Sequence, residues 1–174
     1  MTSDTGTSEP PSVFVALGSN MGDARAHVRD AMERLQQLSG KPLRKSSLWL
    51  TAPVDCPPGS DLFVNAVVGL APLAGETPET LLLKLRALEK EFGRQPKKVL
   101  NEPRPLDLDL IAFGGEVRST EELKVPHPRA HLRAFVLQPL AEIAPAFILP
   151  GFDKNVTQMM KDLPPDQLGS VARV

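Results

Sequence analysis

The first third of the chain alternates between short apolar runs and a segment with helical spacing. Residues 13–17 (VFVAL) form an apolar run rich in β-branched side chains, which predicts a buried strand. Apolar residues then recur at spacings of three and four between Val28 and Leu38, and this spacing predicts an amphipathic helix that follows Asp23 as its N-cap. A second strand is predicted over residues 43–50.

The same alternation continues in the middle of the chain. Residues 62–70 (LFVNAVVGL) predict a third strand, and Thr77, followed by proline and glutamate, is a strong helix start. The apolar stripe that runs from Leu81 to Phe92 predicts the second helix, and residues 106–113 (LDLDLIAF) predict the fourth strand. The order βαββαβ indicates an α+β fold, a sandwich of helices on the faces of a mainly antiparallel sheet.

The last third carries weaker patterns. The glycine pair at 114–115 predicts a hairpin turn into a short partner strand around residues 116–118. Residues 130–144 predict short helical pieces whose length Pro139 and Pro145 limit, because proline cannot donate to the helix ladder. A final weak helix is predicted over residues 155–163.

Composition and charge describe an ordinary soluble domain. The 174 residues carry a net charge of −1, which argues against a nucleic-acid coat protein or a membrane-surface protein. No apolar run approaches the roughly 18 residues that a membrane span needs. Residues 1–11 are polar and lack a secretory pattern, and the single cysteine, Cys56, cannot form an internal disulfide. We therefore expect a cytoplasmic protein with a disordered tail over residues 1–11 and one domain over residues 12–174.

An aspartate pair is the sharpest chemical signal in the chain. Side chains two apart in a strand share a face, so Asp107 and Asp109 stand side by side while leucines occupy the other face. Two neighbouring carboxylates repel each other, and a hard divalent cation between them relieves that repulsion. Spacing alone leaves a second interpretation open, an exposed strand face whose polar residues are acidic.

Cationic side chains lie on both sides of this pair along the chain. One loop carries Arg94, Lys97, Lys98 and Arg104, and a later segment carries His127, Arg129, His131 and Arg133. Cations around a carboxylate pair fit a polyphosphate that binds together with Mg²⁺, because arginine offers paired donors to phosphate oxygens. The alternative is a solvated basic loop, and for Lys97 and Lys98 both interpretations stay open.

Two further observations narrow the chemistry. Phe63 and Asn65 share a strand face, where an amide could bind the edge of a flat heterocycle and a ring could stack on its plane. A core phenylalanine beside a structural asparagine is the alternative. The chain has no P-loop motif, no dinucleotide-binding glycine motif, no Cys/His cluster for zinc and no nucleophile-elbow motif, and Cys56 is expected to be inert.

Several segments together resemble one family, 6-hydroxymethyl-7,8-dihydropterin pyrophosphokinase of folate biosynthesis. The resemblance rests on VALGSNMGD at 15–23, TAP at 51–53, FVNAVV at 63–68, EKEFGR followed by NEPRPLDLDLI within 89–111, and VPHPRAHLRAFVLQPLAEIAP at 125–145. The order and separation of PR-x-LDLDL and VPHP are highly specific. The resemblance implies a ferredoxin-like α/β sandwich and transfer of pyrophosphate from ATP to the pterin hydroxymethyl group, which yields AMP and the pterin diphosphate.

The resemblance also implies roles for individual residues. Two Mg²⁺ ions are expected on Asp107 and Asp109, which with Arg94 and Arg104 form the expected catalytic set. The expected ATP-binding residues are Arg94, Lys97, Lys98, Arg104, Leu110, His127 and Arg133. The expected pterin-binding residues are Gly18, Thr51, Val54, Phe63, Asn65 and Phe135. Glu89 matches a family acid that supports the phosphate-binding arginines. ATP and the pterin are the expected partners of a monomer that binds neither nucleic acid nor membrane.

The chain departs from the family pattern mainly in the basic loop. Pro96 and Leu100 stand where relatives often carry arginines, Asn101 replaces a tryptophan, and Phe63 replaces a tyrosine. Two other classes of protein are alternatives, a non-catalytic ligand-binding module and an RNA-binding module. A non-catalytic ligand-binding module would not need an acid pair surrounded by arginines. The second requires exposed aromatics where this chain carries Asp107 and Asp109.

Overall fold

The structure is a computed structural model that describes residues 12–52, 61–93 and 105–174. Several sequence predictions concern residues outside these ranges: the tail over 1–11, Val54, Cys56, Arg94, Pro96, Lys97, Lys98, Leu100, Asn101 and Arg104. Within the described ranges the strands are β1 Val13–Ser19, β2 Arg44–Lys45, β3 Trp49–Thr51, β4 Phe63–Leu70, β5 Asp107–Phe113, β6 Arg118–Ser119, β7 Lys124–Val125 and β8 Val171–Arg173. The helices are α1 Ala24–Gln36, α2 Pro78–Glu91, a 3-10 turn over Ala130–Leu132, α3 Ala134–Ile143, α4 Val156–Lys161 and α5 Pro165–Gly169.

The main sheet has the order β5-β1-β4-β3-β8, and β2 adds a second short pairing along β4. Every paired strand in it is antiparallel. In this order the first strand lies between the third and the fourth of the βαββαβ unit, as in a ferredoxin-like sandwich. The predicted fold class is confirmed.

Strand alternation divides the core into two layers. On one face, Val15 and Leu17 of β1 pack with α1 and α2, and on the other face Phe14 of β1 packs with α3 and α4. The leucines of β5 lie in the first layer. The residues that alternate with them on β5, the two aspartates, therefore face the α3 side of the sheet.

The helix ends follow the sequence signals. The Asp23 carboxylate accepts a hydrogen bond from the Ala26 amide at 3.1 Å, and Thr77 and Thr80 form a reciprocal capping box at the start of α2. After α2 comes Gly93, whose φ of +93° suits a residue without Cβ. The predicted helix boundaries are confirmed to within a few residues.

Two strand predictions are wrong in detail. The stretch 43–50 is split into β2 and β3, because Ser46 uses its hydroxyl as well as its amide to hold the Val67 backbone and interrupts regular pairing. The residues around 116–118 do not pair with β5. Instead β6 pairs with β7, and the turn between them is closed by the Thr120 hydroxyl, which accepts from the Leu123 amide at 3.0 Å.

The prediction that Pro139 limits helix length is also wrong, although α3 ends before Pro145 as predicted. Pro139 lies inside α3 and is buried, so packing of the apolar helix face on the sheet outweighs the loss of one ladder bond. The final strand β8 and helix α5 escaped prediction because each has five residues or fewer and no clear period.

Candidate active site

Three neighbouring strands bring distant residues into one row. Gly18 of β1 is the register partner of Asp107 on β5 and also of Asn65 on β4. Adjacent strands lie about 4.8 Å apart, so a carboxylate and an amide flank a single glycine. By strand alternation all three face the α3 side of the sheet, as do Phe63 and Thr51. This row forms the floor of the candidate site.

At the amide end of the row, Asn65 makes close contacts with Thr51 and Gly18. The Asn65 Nδ2 donates to Thr51 Oγ1 at 2.6 Å, which turns Asn65 Oδ1 towards Gly18. A Cβ at position 18 would lie 2.8 Å from that oxygen and 3.8 Å from the Phe63 ring. Glycine at position 18 is therefore required by the close approach of Asn65, and it leaves a flat surface beside Phe63.

At the carboxylate end of the row, Asp107 and Asp109 place two negative charges close together. The pKa of Asp109 is raised to about 7, first by burial and then by the negative charges of Asp107 and Glu89, against the opposing effect of Arg133. Asp109 lies opposite the small residue Ala16 on β1. The Asp107 and Asp109 pair therefore carries a proton near neutral pH, and a cation that binds between the two carboxylates would displace that proton.

Glu89 supports this pair from behind. Its side chain is buried, its Oε2 accepts a hydrogen bond from the Leu108 amide at 2.9 Å, and its Oε1 pairs with Arg86 at 3.1 Å. Leu108 lies between the two aspartates on β5, the edge strand of the sheet. Glu89 therefore satisfies an edge amide and fixes the backbone that sets the spacing of Asp107 and Asp109.

A β-bulge holds His127 beside the row. The register between β1 and β5 shifts at Ile111, and the Ile111 carbonyl accepts from the His127 amide at 2.8 Å. The Arg129 amide donates to His127 Nδ1 at 3.1 Å. Burial, followed by the positive charges of Arg133 and Arg129, lowers the pKa of His127 to about 4 although Asp107 opposes this. We assign a neutral ring whose proton is on Nε2, so His127 is a donor rather than a cation.

The start of α3 supplies the wall of the site. Arg133 precedes the helix, and its guanidinium lies 5.4 Å from the centroid of the Phe135 ring, a cation–π distance. Arg133 also acts electrostatically on both Asp109 and His127. Arg133 and Phe135 are half-buried and border the face that carries the row.

The structure thus brings together most of the residues expected from the sequence. Those within the described ranges are Gly18, Thr51, Phe63, Asn65, Glu89, Asp107, Asp109, His127, Arg133 and Phe135. Leu110 is the exception, because its side chain is 4% exposed and packs in the core on the opposite face. Only its main chain is available to a ligand. The Ile111 bulge was missed because no residue pattern marks an extra strand residue.

The residues present fit a divalent cation. Carboxylate oxygens are the ligands that Mg²⁺ prefers, and Mg²⁺ commonly takes one or two of them together with substrate phosphates. Within the residues that the structure describes, no group of three or more His, Cys, Asp or Glu side chains could hold a metal. The Asp107 and Asp109 pair, with the raised pKa of Asp109, is the donor set with the chemistry to accept such an ion.

The protein is thus a ferredoxin-like sandwich in which three neighbouring strands bring a pair of aspartates, a glycine and an asparagine onto one face of the sheet. A sequence model of the 7,8-dihydro-6-hydroxymethylpterin-pyrophosphokinase (HPPK) family matches residues 14–145. The chain is 35% identical over 149 residues to a 2-amino-4-hydroxy-6-hydroxymethyldihydropteridine pyrophosphokinase from Synechocystis, with 86% of this chain and 74% of the relative covered. A Pseudomonas aeruginosa protein of the same name is 39% identical over 139 residues, with 79% and 83% covered. The chain belongs to the HPPK family.

Solved structures agree on the fold. The crystal structure of a Plasmodium falciparum HPPK-DHPS triple mutant with pteroate matches 96% of this chain and 47% of its own, with a TM-score of 0.69 at 11% identity. A crystal structure of HPPK-DHPS in complex with substrates matches 87% and 43%, with a TM-score of 0.67. The chain spans less than half of these solved chains. In the described part of the chain, no helix is both long and apolar enough to cross a membrane.

Proposed function

We propose that this chain transfers pyrophosphate from ATP to the hydroxymethyl group of 6-hydroxymethyl-7,8-dihydropterin, giving AMP and the pterin diphosphate in folate synthesis. The observation that carries the proposal is the row of Asp107, Gly18 and Asn65, which places an acid pair and an amide on the same face of the sheet. Relatives named as pyrophosphokinases of this pterin support it.

The pterin is proposed to lie over the amide end of the row. Asn65 would bind the polar edge of the ring, and Gly18 leaves room for the ring to approach. Phe63 and Phe135 would stack on its two planes, since both are half-buried and border this face. Main-chain groups of Thr51 and of Val54, which lies outside the described residues, complete the proposed ring contacts.

ATP is proposed to place its phosphates over the carboxylate end. Arg133 offers a charged fork and His127 Nε2 a neutral hydrogen-bond donor from one side. From the other side we propose Arg94, Lys97, Lys98 and Arg104, which lie outside the described residues, with Glu89 as their support. The main chain at Leu110 is proposed to contact the nucleotide.

Asp107 and Asp109 are proposed to hold two Mg²⁺ ions. When bound, such ions neutralise phosphate charge and hold the phosphates for in-line displacement. Asp109 must release its proton to become a ligand, and its pKa of about 7 lets it do so near neutral pH. Asp107, Asp109 and Arg133 then act by positioning and by balancing charge at the transferred group.

His127 is an unsuitable general base in this arrangement. Its Nδ1 already accepts the Arg129 amide, and its lowered pKa makes the neutral ring a weak proton acceptor. A single domain over 12–174, a disordered tail over 1–11, a monomeric state and a cytoplasmic location stay predictions.

The test is AMP release from ATP and Mg²⁺ with and without the pterin, followed by the mass of the pterin product. Pterin-dependent AMP and a product with two added phosphates support the proposal, whereas ADP would contradict it. Asp107→Ala and Asp109→Ala should each lower turnover at least about 10²-fold, because a metal contact is lost. Asp153→Asn, at an exposed acid outside the site, is the matched control and should leave turnover unchanged.

A further inference from the structure

One carboxylate ties α3 to two strands on its own. Glu142 Oε1 accepts hydrogen bonds from the Ser47 amide at 3.1 Å and from the Trp49 indole Nε1 at 2.6 Å. Its Oε2 accepts from the Ser47 hydroxyl at 2.8 Å and pairs with Arg173 of β8 at 3.6 Å. The Arg173 guanidinium also lies 5.5 Å from the centroid of the Trp49 ring. We name these four residues the Glu142 network.

The network joins two elements that carry residues of the proposed pterin site, helix α3 and strand β3. Glu142 sits about two turns after Phe135 on α3, so both face the sheet side of the same helix. Trp49 is the register partner of Asn65 and lies two residues before Thr51, whose hydroxyl holds the Asn65 amide. The carboxylate therefore connects the helix that carries the stacking ring to the strand that orients the amide.

From this arrangement we infer that Glu142 is a positioning residue for the pterin: it sets the gap between α3 and the β3–β4 pair in which the ring binds. The inference rests on the proposed function, because it concerns one substrate of that reaction. Its charge is balanced by donors from both strands, so the connection is stiffer than a single neutral hydrogen bond. The nucleotide end of the row, at Asp107 on β5, is separated from Trp49 on β3 by the two strands β4 and β1, so we expect the network to affect it much less.

The chain provides a matched control. Arg44 of β2 donates from its NH1 to the Ile143 carbonyl at 2.8 Å, so it also ties the end of α3 to the sheet, one residue from Glu142. It contacts neither β3 nor Trp49 in this way. Arg44→Met therefore removes a comparable link between helix and sheet without touching the strand that orients Asn65.

The experiment measures kcat, the KM for the pterin and the KM for ATP in wild type, Glu142→Ala, Glu142→Gln and Arg44→Met. Glu142→Ala should raise the pterin KM about tenfold, equivalent to about 1.4 kcal/mol, with the ATP KM and kcat changed less than about twofold. Glu142→Gln should raise the pterin KM less than Glu142→Ala does. Its amide oxygen can still accept from the Trp49 indole, whereas its amide nitrogen cannot accept from the Ser47 hydroxyl as Oε2 does. Arg44→Met should leave the pterin KM unchanged.

Trp49 supplies an independent signature, since it is the single tryptophan in a chain without tyrosine. Its emission maximum should shift in Glu142→Ala and not in Arg44→Met. The inference is overturned if Arg44→Met raises the pterin KM as much as Glu142→Ala, or if Glu142→Gln and Glu142→Ala both leave it unchanged while wild type turns over. Absence of pterin turnover in wild type would overturn the proposed function itself and the inference with it. Glu142→Gln keeps the test decisive if Glu142→Ala does not fold.

Discussion

Replacement of Asp109 by asparagine should stabilise the free protein above neutral pH. The folded-state pKa of Asp109 is raised to about 7 from a usual value of 3.8, first by burial and then by the charges of Asp107 and Glu89. Between these two values the folded chain binds more protons than the unfolded chain, so the wild type loses stability as pH rises from about 4 to about 7. Asparagine keeps the shape of the side chain and removes this charge.

The magnitude follows from the same pKa. At 1.36 kcal/mol per pKa unit, the full difference between 3.8 and about 7 corresponds to roughly 4 kcal/mol. Asp109 is partly exposed, so water and salt screen part of this cost, and we expect a gain of about 1–2 kcal/mol at pH 8. For a chain of this size that gain raises Tm by roughly 2–8 °C.

Thermal unfolding in EDTA and without nucleotide, at pH 8 and at pH 5, measures the effect. Asp109→Asn should melt higher than wild type at pH 8, and the difference should shrink at pH 5, where Asp109 of the wild type is already protonated. Asp153→Asn, at an exposed acid, should behave as wild type at both pH values. A lower Tm for Asp109→Asn at pH 8, or an equal gain at both pH values, would refute the electrostatic reasoning.

Three further results are expected. The affinity for Mg²⁺ measured with a non-hydrolysable ATP analogue should fall as pH is lowered from 8 to 6, because Asp109 must lose its proton to bind the ion; a flat profile in calorimetry would contradict this. Gly18→Ala should raise the Kd for the pterin about tenfold, since its Cβ would lie 2.8 Å from Asn65 Oδ1, and an unchanged Kd would show that Asn65 can move aside at no cost. Glu89→Gln, which can still accept from the Leu108 amide, should retain more Mg²⁺-dependent turnover than Glu89→Ala; equal turnover in the two variants would exclude a role for that hydrogen bond.

The parts of the fold with strong local signals could be predicted from the sequence. Asp23 and Thr77 start helices by hydrogen bonds within three residues, and alternation along β5 assigns Asp107 and Asp109 to one face without knowledge of any other strand. Such signals involve residues that are close neighbours in the chain, so they can be recognised from the sequence alone.

Features that depend on distant partners could not be predicted in the same way. The place of Gly18 between Asn65 and Asp107 follows from the strand order, which local pattern does not determine. Likewise, Glu142 is an ordinary acid near the end of a helix until its contacts with Trp49, 93 residues earlier in the chain, are known. The neutral state of His127 depends on burial and on the charge of Arg133, so the sequence alone suggested a cation.

The row across the sheet also determines at which stage of folding the candidate site forms. Asp107, Gly18 and Asn65 meet only when β5, β1 and β4 are all paired. These contacts close loops of about 40 residues or more, and such non-local pairings form late and slowly. A partly folded form in which α1, β1 and β4 have assembled but β5 has not would contain the amide end of the row, at Asn65 and Gly18. It would lack the acid pair, Asp107 and Asp109. Recovery of ligand binding at the acid pair during refolding should therefore report the pairing of β5 rather than general collapse.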